Sequence, residues 1–233
     1  MCDNHLGYDV DGVRRYIVQK APDTVMARDG GLAGKMALHI AAEEGQCEIL
    51  RVLMDSGGPQ ALSVPDHHRE TVVHYAAKGG YLDMVQYVVA QGGRSLLLSA
   101  SSSGMTPAHM AAGGRSSITG SRGADSVAVL RFLVDEMGPM VLLRQNHKGE
   151  TPLHVAILTN RIAATNYILK LVMGGDPVLK GMLNIQDKAG NTPLHLLLRK
   201  RAADKELMQV GWGWLVVVLE KPTPQGVFAC SGQ

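Results

Sequence analysis

Two hydrophobic rhythms alternate along the chain. The first is a short run of apolar and alanine residues with a histidine at a constant place: "KMALHIAA" (35–42), "ETVVHYAA" (70–77), "MTPAHMAA" (105–112), "ETPLHVAI" (150–157) and "NTPLHLLL" (191–198). The second is longer, with apolar residues at helical spacing: "CEILRVLMD" (47–55), "YLDMVQYVVA" (81–90), "DSVAVLRFLVDE" (125–136) and "RIAATNYILKLV" (161–172). A less regular fifth copy is "KELMQVGWGWLVVV" (205–218). Glycine closes the first four longer runs, at Gly57-Gly58, Gly92-Gly93, Gly138 and Gly174-Gly175, where a helix end often needs a backbone that only glycine adopts freely. Polar, turn-rich segments such as "VPDHHR" (64–69) and "RQNHKG" (144–149) lead into the next short run. The pattern predicts a recurring unit: turn, short helix, tight turn, longer helix, glycine stop.

The phase is carried by His39, His74, His109, His154 and His195, spaced 35, 35, 45 and 41 residues apart. Pro107, Pro152 and Pro193 stand where a first helical turn needs no N–H donor. Thr106, Thr151 and Thr192 precede them, suited to capping. The pairs Ala41-Ala42, Ala76-Ala77 and Ala111-Ala112 make helices thin enough for close approach. The first unit has Met36-Ala37 in place of Thr-Pro and the second has Val72 in place of Pro, so both are expected to be less sharply capped.

This unit resembles the ankyrin repeat, with its T-P-L-H-x-A signature, over roughly residues 5–220. The resemblance implies an all-α fold, an ankyrin-repeat α-solenoid of stacked helical hairpins with β-hairpin-like loops. Residues 1–220 would form a single array, with a half-repeat cap at 5–30 and repeats at about 31–65, 66–100, 101–145, 146–186 and 187–220, then a tail at 221–233. It also implies a structural task for the five repeat histidines: hydrogen bonds that hold hairpins and helix ends together. Links between units look longer than the family norm, and Leu62, Leu97, Leu98, Leu142 and Leu143 are expected to tuck under the hairpins. The glycine- and serine-rich "GGRSSITGSRGADS" (113–126) replaces a tight turn in the third unit and is read as a tolerated surface loop, or else a partner contact or phosphorylation site at Ser116, Ser117 or Ser121. Trp212, Trp214 and Val216–Val218 are expected to fold back on the last repeat, the alternative being a docking patch.

Composition narrows the function classes. Apolar residues make up 45% and charged residues 19% of 233, which fits a folded chain. Aromatics are only 4%, so the core must be aliphatic. Residues 1–100 carry 9 basic and 12 acidic side chains, and residues 101–233 carry 14 and 9. That gradient is too mild to argue for nucleic acid. Three widely spaced cysteines, Cys2, Cys47 and Cys230, argue against a disulfide framework or a zinc site. Reduced thiols, no signal-peptide pattern and no apolar run long enough to span a bilayer predict a cytoplasmic setting, with nucleus or cytoskeleton as alternatives.

Enzyme motifs fail on inspection. "DHHR" (66–69) resembles the Asp-His-His-Cys signature of palmitoyl-transferring enzymes, but Arg69 stands in the place of the cysteine. "GGLAGKM" (30–36) misses a phosphate loop at Asp29 and Met36, and "TGSRG" (119–123) misses a nucleophile elbow at Thr119. No catalytic residue, cofactor or metal is expected. The resemblance implies a protein–protein interaction module, an adaptor or scaffold that binds another protein on a concave face of hairpin tips and first helices. Candidate contacts are His67, His68, Glu70, Lys78, Ser102, Met105, His147, Lys148, Glu150, Lys188, Asn191, Arg199 and Lys200, along a strip running from acidic through neutral to basic. A small subunit packed permanently in a larger assembly, and a substrate-recruiting fragment of an enzyme, are the alternatives.

Overall fold

A computed structural model describes residues 25–114, 125–174 and 177–201, with isolated positions at 9, 11, 12 and 15. Most of the expected N-terminal cap, Ser116, Ser117 and Ser121 of the insertion, the Trp212–Val218 segment and the tail lie outside the described residues.

The described part is a succession of helical hairpins. Helix α1 (Ala37–Glu43) pairs with α2 (Cys47–Gly57), α3 (Val72–Gly79) with α4 (Leu82–Gly92), α5 (Pro107–Gly113) with α6 (Ser126–Met137), and α7 (Pro152–Leu158) with α8 (Ile162–Met173). A one-turn α9 (Pro177–Lys180) follows, and α10 (Pro193–Arg201) opens the fifth unit. Helices α1, α3, α5 and α7 have seven or eight residues, too short to persist alone in water. Stacking supplies what propensity does not: α1 packs on α3, α3 on α5, α5 on α7 and α7 on α10, while α4 packs on α6 and α6 on α8. The alanine pairs of α1, α3 and α5 are buried.

One buried cluster runs from Val25 to Leu197 and is almost wholly aliphatic. Leu50, Met84, Leu130 and Ile168 hold it on the longer helices, and Leu38, Val73 and Leu153 on the shorter ones. The long links between units are short 3-10 helices, Pro59–Ser63, Arg94–Leu98, Pro139–Leu143 and Gly181–Asn184. They bury Leu62, Leu96, Leu97 and Leu142, but Leu98 is exposed and Leu143 only half-buried, against expectation. With three residues per turn, the fifth position of the three five-residue links turns away from the core. Glycine ends α2, α4 and α6 at Gly58, Gly93 and Gly138 with φ of 73°, 87° and 77°. Helix α8 ends differently, at Gly174 with φ −61°.

Candidate functional site

The recurring Thr-Pro-Leu-His motif is an N-terminal cap in which histidine takes the place that Glu or Gln holds in the usual capping box. The backbone N–H groups of Thr71, Thr106 and Thr151 donate to Nδ1 of His74, His109 and His154 at 3.1–3.2 Å. The threonine Oγ1 atoms lie 2.8–3.0 Å from the same nitrogens. With Nδ1 accepting, the ring proton sits on Nε2, which donates forward to the next unit. His74 reaches the Met105 carbonyl at 3.1 Å, His109 that of Glu150 at 3.0 Å and His154 that of Asn191 at 3.2 Å. His39 accepts from Met36 N and donates to the Val64 carbonyl at 3.1 Å, where the next hairpin is entered rather than left. His195 keeps the Thr192 bonds at its own helix but is exposed.

The four buried rings, His39, His74, His109 and His154, are neutral. Burial pushes His74 and His109 down to about 4, against the upward pull of the carbonyls that their Nε2 atoms meet. Burial lowers His39 and His154 as well. A proton added at Nδ1 would face the threonine N–H instead of accepting from it. With both nitrogens engaged, these four rings have no lone pair left for a metal or a substrate proton. Among the described residues no group of three or more His, Cys, Asp or Glu could hold a metal ion.

The hairpins between units are built by one side chain each. Asp66 Oδ1 accepts from the N–H groups of His68 and Glu70, both at 2.8 Å. Ser101, Asn146 and Asp187 do the same for Ser103 and Met105, Lys148 and Glu150, and Ala189 and Asn191. Asp66 is further held by the Tyr75 hydroxyl, which donates to Oδ2 at 2.7 Å. Neighbouring hairpins are then joined by single backbone hydrogen bonds: His67 N to Ala33 O, Ser102 N to His68 O, His147 N to Ser103 O and Lys188 N to Lys148 O, at 2.7–2.9 Å.

A family model described as "Ankyrin repeats (3 copies)" matches residues 6–97 and again 38–119. The chain belongs to the ankyrin-repeat family. Human (Homo sapiens) transient receptor potential cation channel subfamily A member 1 is 32% identical over 73 residues, covering 31% of this chain and 6% of that protein. The match therefore spans only a small fraction of that relative. Ankyrin repeats are generally protein–protein interaction modules and typically non-enzymatic. No helix among the described residues is long and apolar enough to cross a membrane.

Within this ankyrin array the candidate contact residues separate into two sets. His67, His68, Ser102, His147, Lys148 and Lys188 are exposed on four consecutive hairpin tips, and Lys78 and Arg199 are exposed on α3 and α10. Glu70, Met105, Glu150 and Asn191 are half-buried. The last three are the residues whose carbonyls receive the repeat histidines. Their side chains are also engaged: Asn146 Nδ2 donates to Glu150 Oε2 at 2.8 Å and lies 3.2 Å from the Met105 sulfur, and Asn191 Nδ2 donates to Asp187. Burial raises the Glu70 carboxyl, Asp66 adds to the rise, and Lys78 opposes it. Lys200 is half-buried and its ammonium donates to the Leu158 carbonyl at the end of α7. All four inward residues at 70, 105, 150 and 191 stand immediately before the capping position. That shared phase was the available signal, because at 105, 150 and 191 the residue leaving the hairpin meets the preceding unit's histidine.

The third unit departs where the sequence is longer. Asp125 caps α6 by accepting from Val127 N and Ala128 N, and its own N–H donates to the Gly80 carbonyl of the unit before. The re-entry point of the insertion is thus tied to the array.

Proposed function

We propose that this ankyrin-repeat chain is a non-enzymatic adaptor whose protein partner lies across the hairpin tips and first helices. The observation that carries the reading is the row of backbone hydrogen bonds linking five hairpins in succession. It fixes exposed side chains at a regular pitch before any partner arrives, so little ordering is left for binding to oppose. In this reading residues 1–220 act as one array and the chain works in the reducing cytoplasm, where its three cysteines stay reduced.

The test is quantitative affinity capture from lysate with two baits. One is the intact chain, and the other carries His67, His68, His147, Lys148 and Lys188 changed to alanine. All five side chains are exposed, so the two baits should melt alike. A protein depleted from the second bait supports the adaptor reading and places contact on the tips. Partners held equally by both baits, or none from a folded monomer, overturn it.

A further inference from the structure

The hairpins sort charge by sign. Three of the four hairpins from 66 to 191 carry both acids and bases, and the one at 101–105 carries neither, but the environments of the two signs differ. Asp66 is buried under three hydrogen bonds. Glu70 and Glu150 are half-buried, and Glu150 is held by Asn146. Asp187 is half-buried. Burial opposes its charge, but the N–H groups of Asn191 and Ala189 hold it below the usual carboxylate range. The cations are turned the other way. Arg69, Lys148 and Lys188 are exposed, and none forms an ion pair among the described residues. His67, His68 and His147 are exposed beside them. The carboxylates fold the loops and the bases are left facing water. The first hairpin differs, with Asp29 exposed.

We infer that this row is a docking surface for an extended acidic segment of a partner protein, with acidic residues at every third position. The inference rests on the adaptor reading and names its partner chemistry. The pitch follows from general dimensions. Packed helices stand about 8–10 Å apart, so successive tips step by about that distance. An extended chain in the polyproline II conformation rises about 3.1 Å per residue with three residues per turn, so every third side chain lies on one face and meets the next tip. The order of tips then sets the pattern: Arg69, the hydroxyls of Ser102 and Ser103, Lys148, Lys188. The matching segment is acid, then a polar residue three positions on, then acids at the next two steps of three. A nucleic acid fits less well, since one phosphate charge per about 1.7 Å of duplex far exceeds three cations over four tips.

The probe is a fluorescein-labelled peptide with glutamate at every third residue and glycine or serine between. Comparison probes are the same composition with the glutamates contiguous, the same spacing with lysine, and an oligothymidylate of equal charge. Anisotropy titrations use the full chain at low and at physiological salt. The spaced acidic peptide is expected to bind best and to weaken as salt rises. Arg69→Gly, Lys148→Ala and Lys188→Ala are each expected to weaken it by about two- to fivefold, as for exposed ion pairs. Ser102→Glu, which places a carboxylate inside the row, should weaken it too. Arg69→Gly also serves as the fold control, because glycine occupies that place in the other hairpins. Equal binding of the contiguous or lysine peptide, tighter binding of the oligothymidylate, or no effect of the three substitutions overturns the inference. If every probe fails while lysate capture still depends on the tips, the acidic chemistry falls and the adaptor reading stands.

Discussion

Histidine serves two opposite ends within a few ångströms of chain. His74, His109 and His154 are fully buried, capped by threonine on one side and bound to the next unit's carbonyl on the other. His67, His68 and His147 sit on the hairpins between them, exposed. The buried set is repeated because the stacking geometry demands it. The exposed set varies from unit to unit, as Ser102 and Ser103 show at the third tip, because water makes no such demand. What distinguishes the two is phase: three residues after the helix cap, or one and two residues after the side chain that turns the loop.

The largest expected effect breaks that comparison if it fails to appear. His109→Ala should cost about 3 kcal/mol in chemical denaturation, because it leaves the Thr106 N–H and the Glu150 carbonyl buried without their partner. His147→Ala should change stability by less than about 0.5 kcal/mol. Similar losses at both positions would mean that the buried ring is not what joins the third unit to the fourth.

Acid should expose the same difference. An unfolded histidine titrates near 6.5, and folding pushes His74 and His109 down to about 4. Between those values the unfolded chain binds more protons, so stability rises with pH across the window. Their contribution is complete above about pH 6.5 and falls by about 3 kcal/mol for each ring on reaching pH 4. Urea midpoints taken from pH 7 to pH 4 should drop steeply, and a flat series would contradict neutral, buried rings.

Much of the array was legible because repetition separates what a unit needs from what it tolerates. The helix pairs, the Thr-Pro starts and the glycine ends at 58, 93 and 138 could all be read from phase. The 3-10 links could not, since five residues such as "RSLLL" look like a loop with spare leucines. Aligning the links would have helped: Ser63 stands where Leu98 and Leu143 do, marking an outward position. The inward turn of Glu70 and Glu150 was hidden for a different reason. An acidic residue in a hairpin looks like surface until the neighbouring unit is in place.

The same alignment exposes a core position that breaks the pattern. Leu50, Val85, Val129 and Thr165 occupy the fourth residue of α2, α4, α6 and α8, and all are fully buried. Among the described residues Thr165 Oγ1 has no hydrogen-bond partner. Thr165→Val should stabilise the chain by about 1 kcal/mol by removing a buried, unsatisfied hydroxyl at nearly constant volume. Destabilisation on thermal melting would mean that the hydroxyl is satisfied in solution, for instance by an ordered water.

The smallest expected effect tests the tips themselves. The fourth hairpin position is glycine at 104, 149 and 190, with φ of 76–79°, and arginine at 69, with φ of 58°. A side chain in this left-handed conformation costs roughly 1 kcal/mol, which glycine avoids while losing some chain entropy. Arg69→Gly should therefore stabilise by about 0.5 kcal/mol net, visible as a small rise in the urea midpoint. In the same variant the acidic peptide should bind more weakly. Stability and binding would then move in opposite directions at one residue, as expected where a cation is kept on a tip despite the strain of holding it there. If both fall together, Arg69 supports the hairpin and the charge on that tip serves the fold instead of a partner.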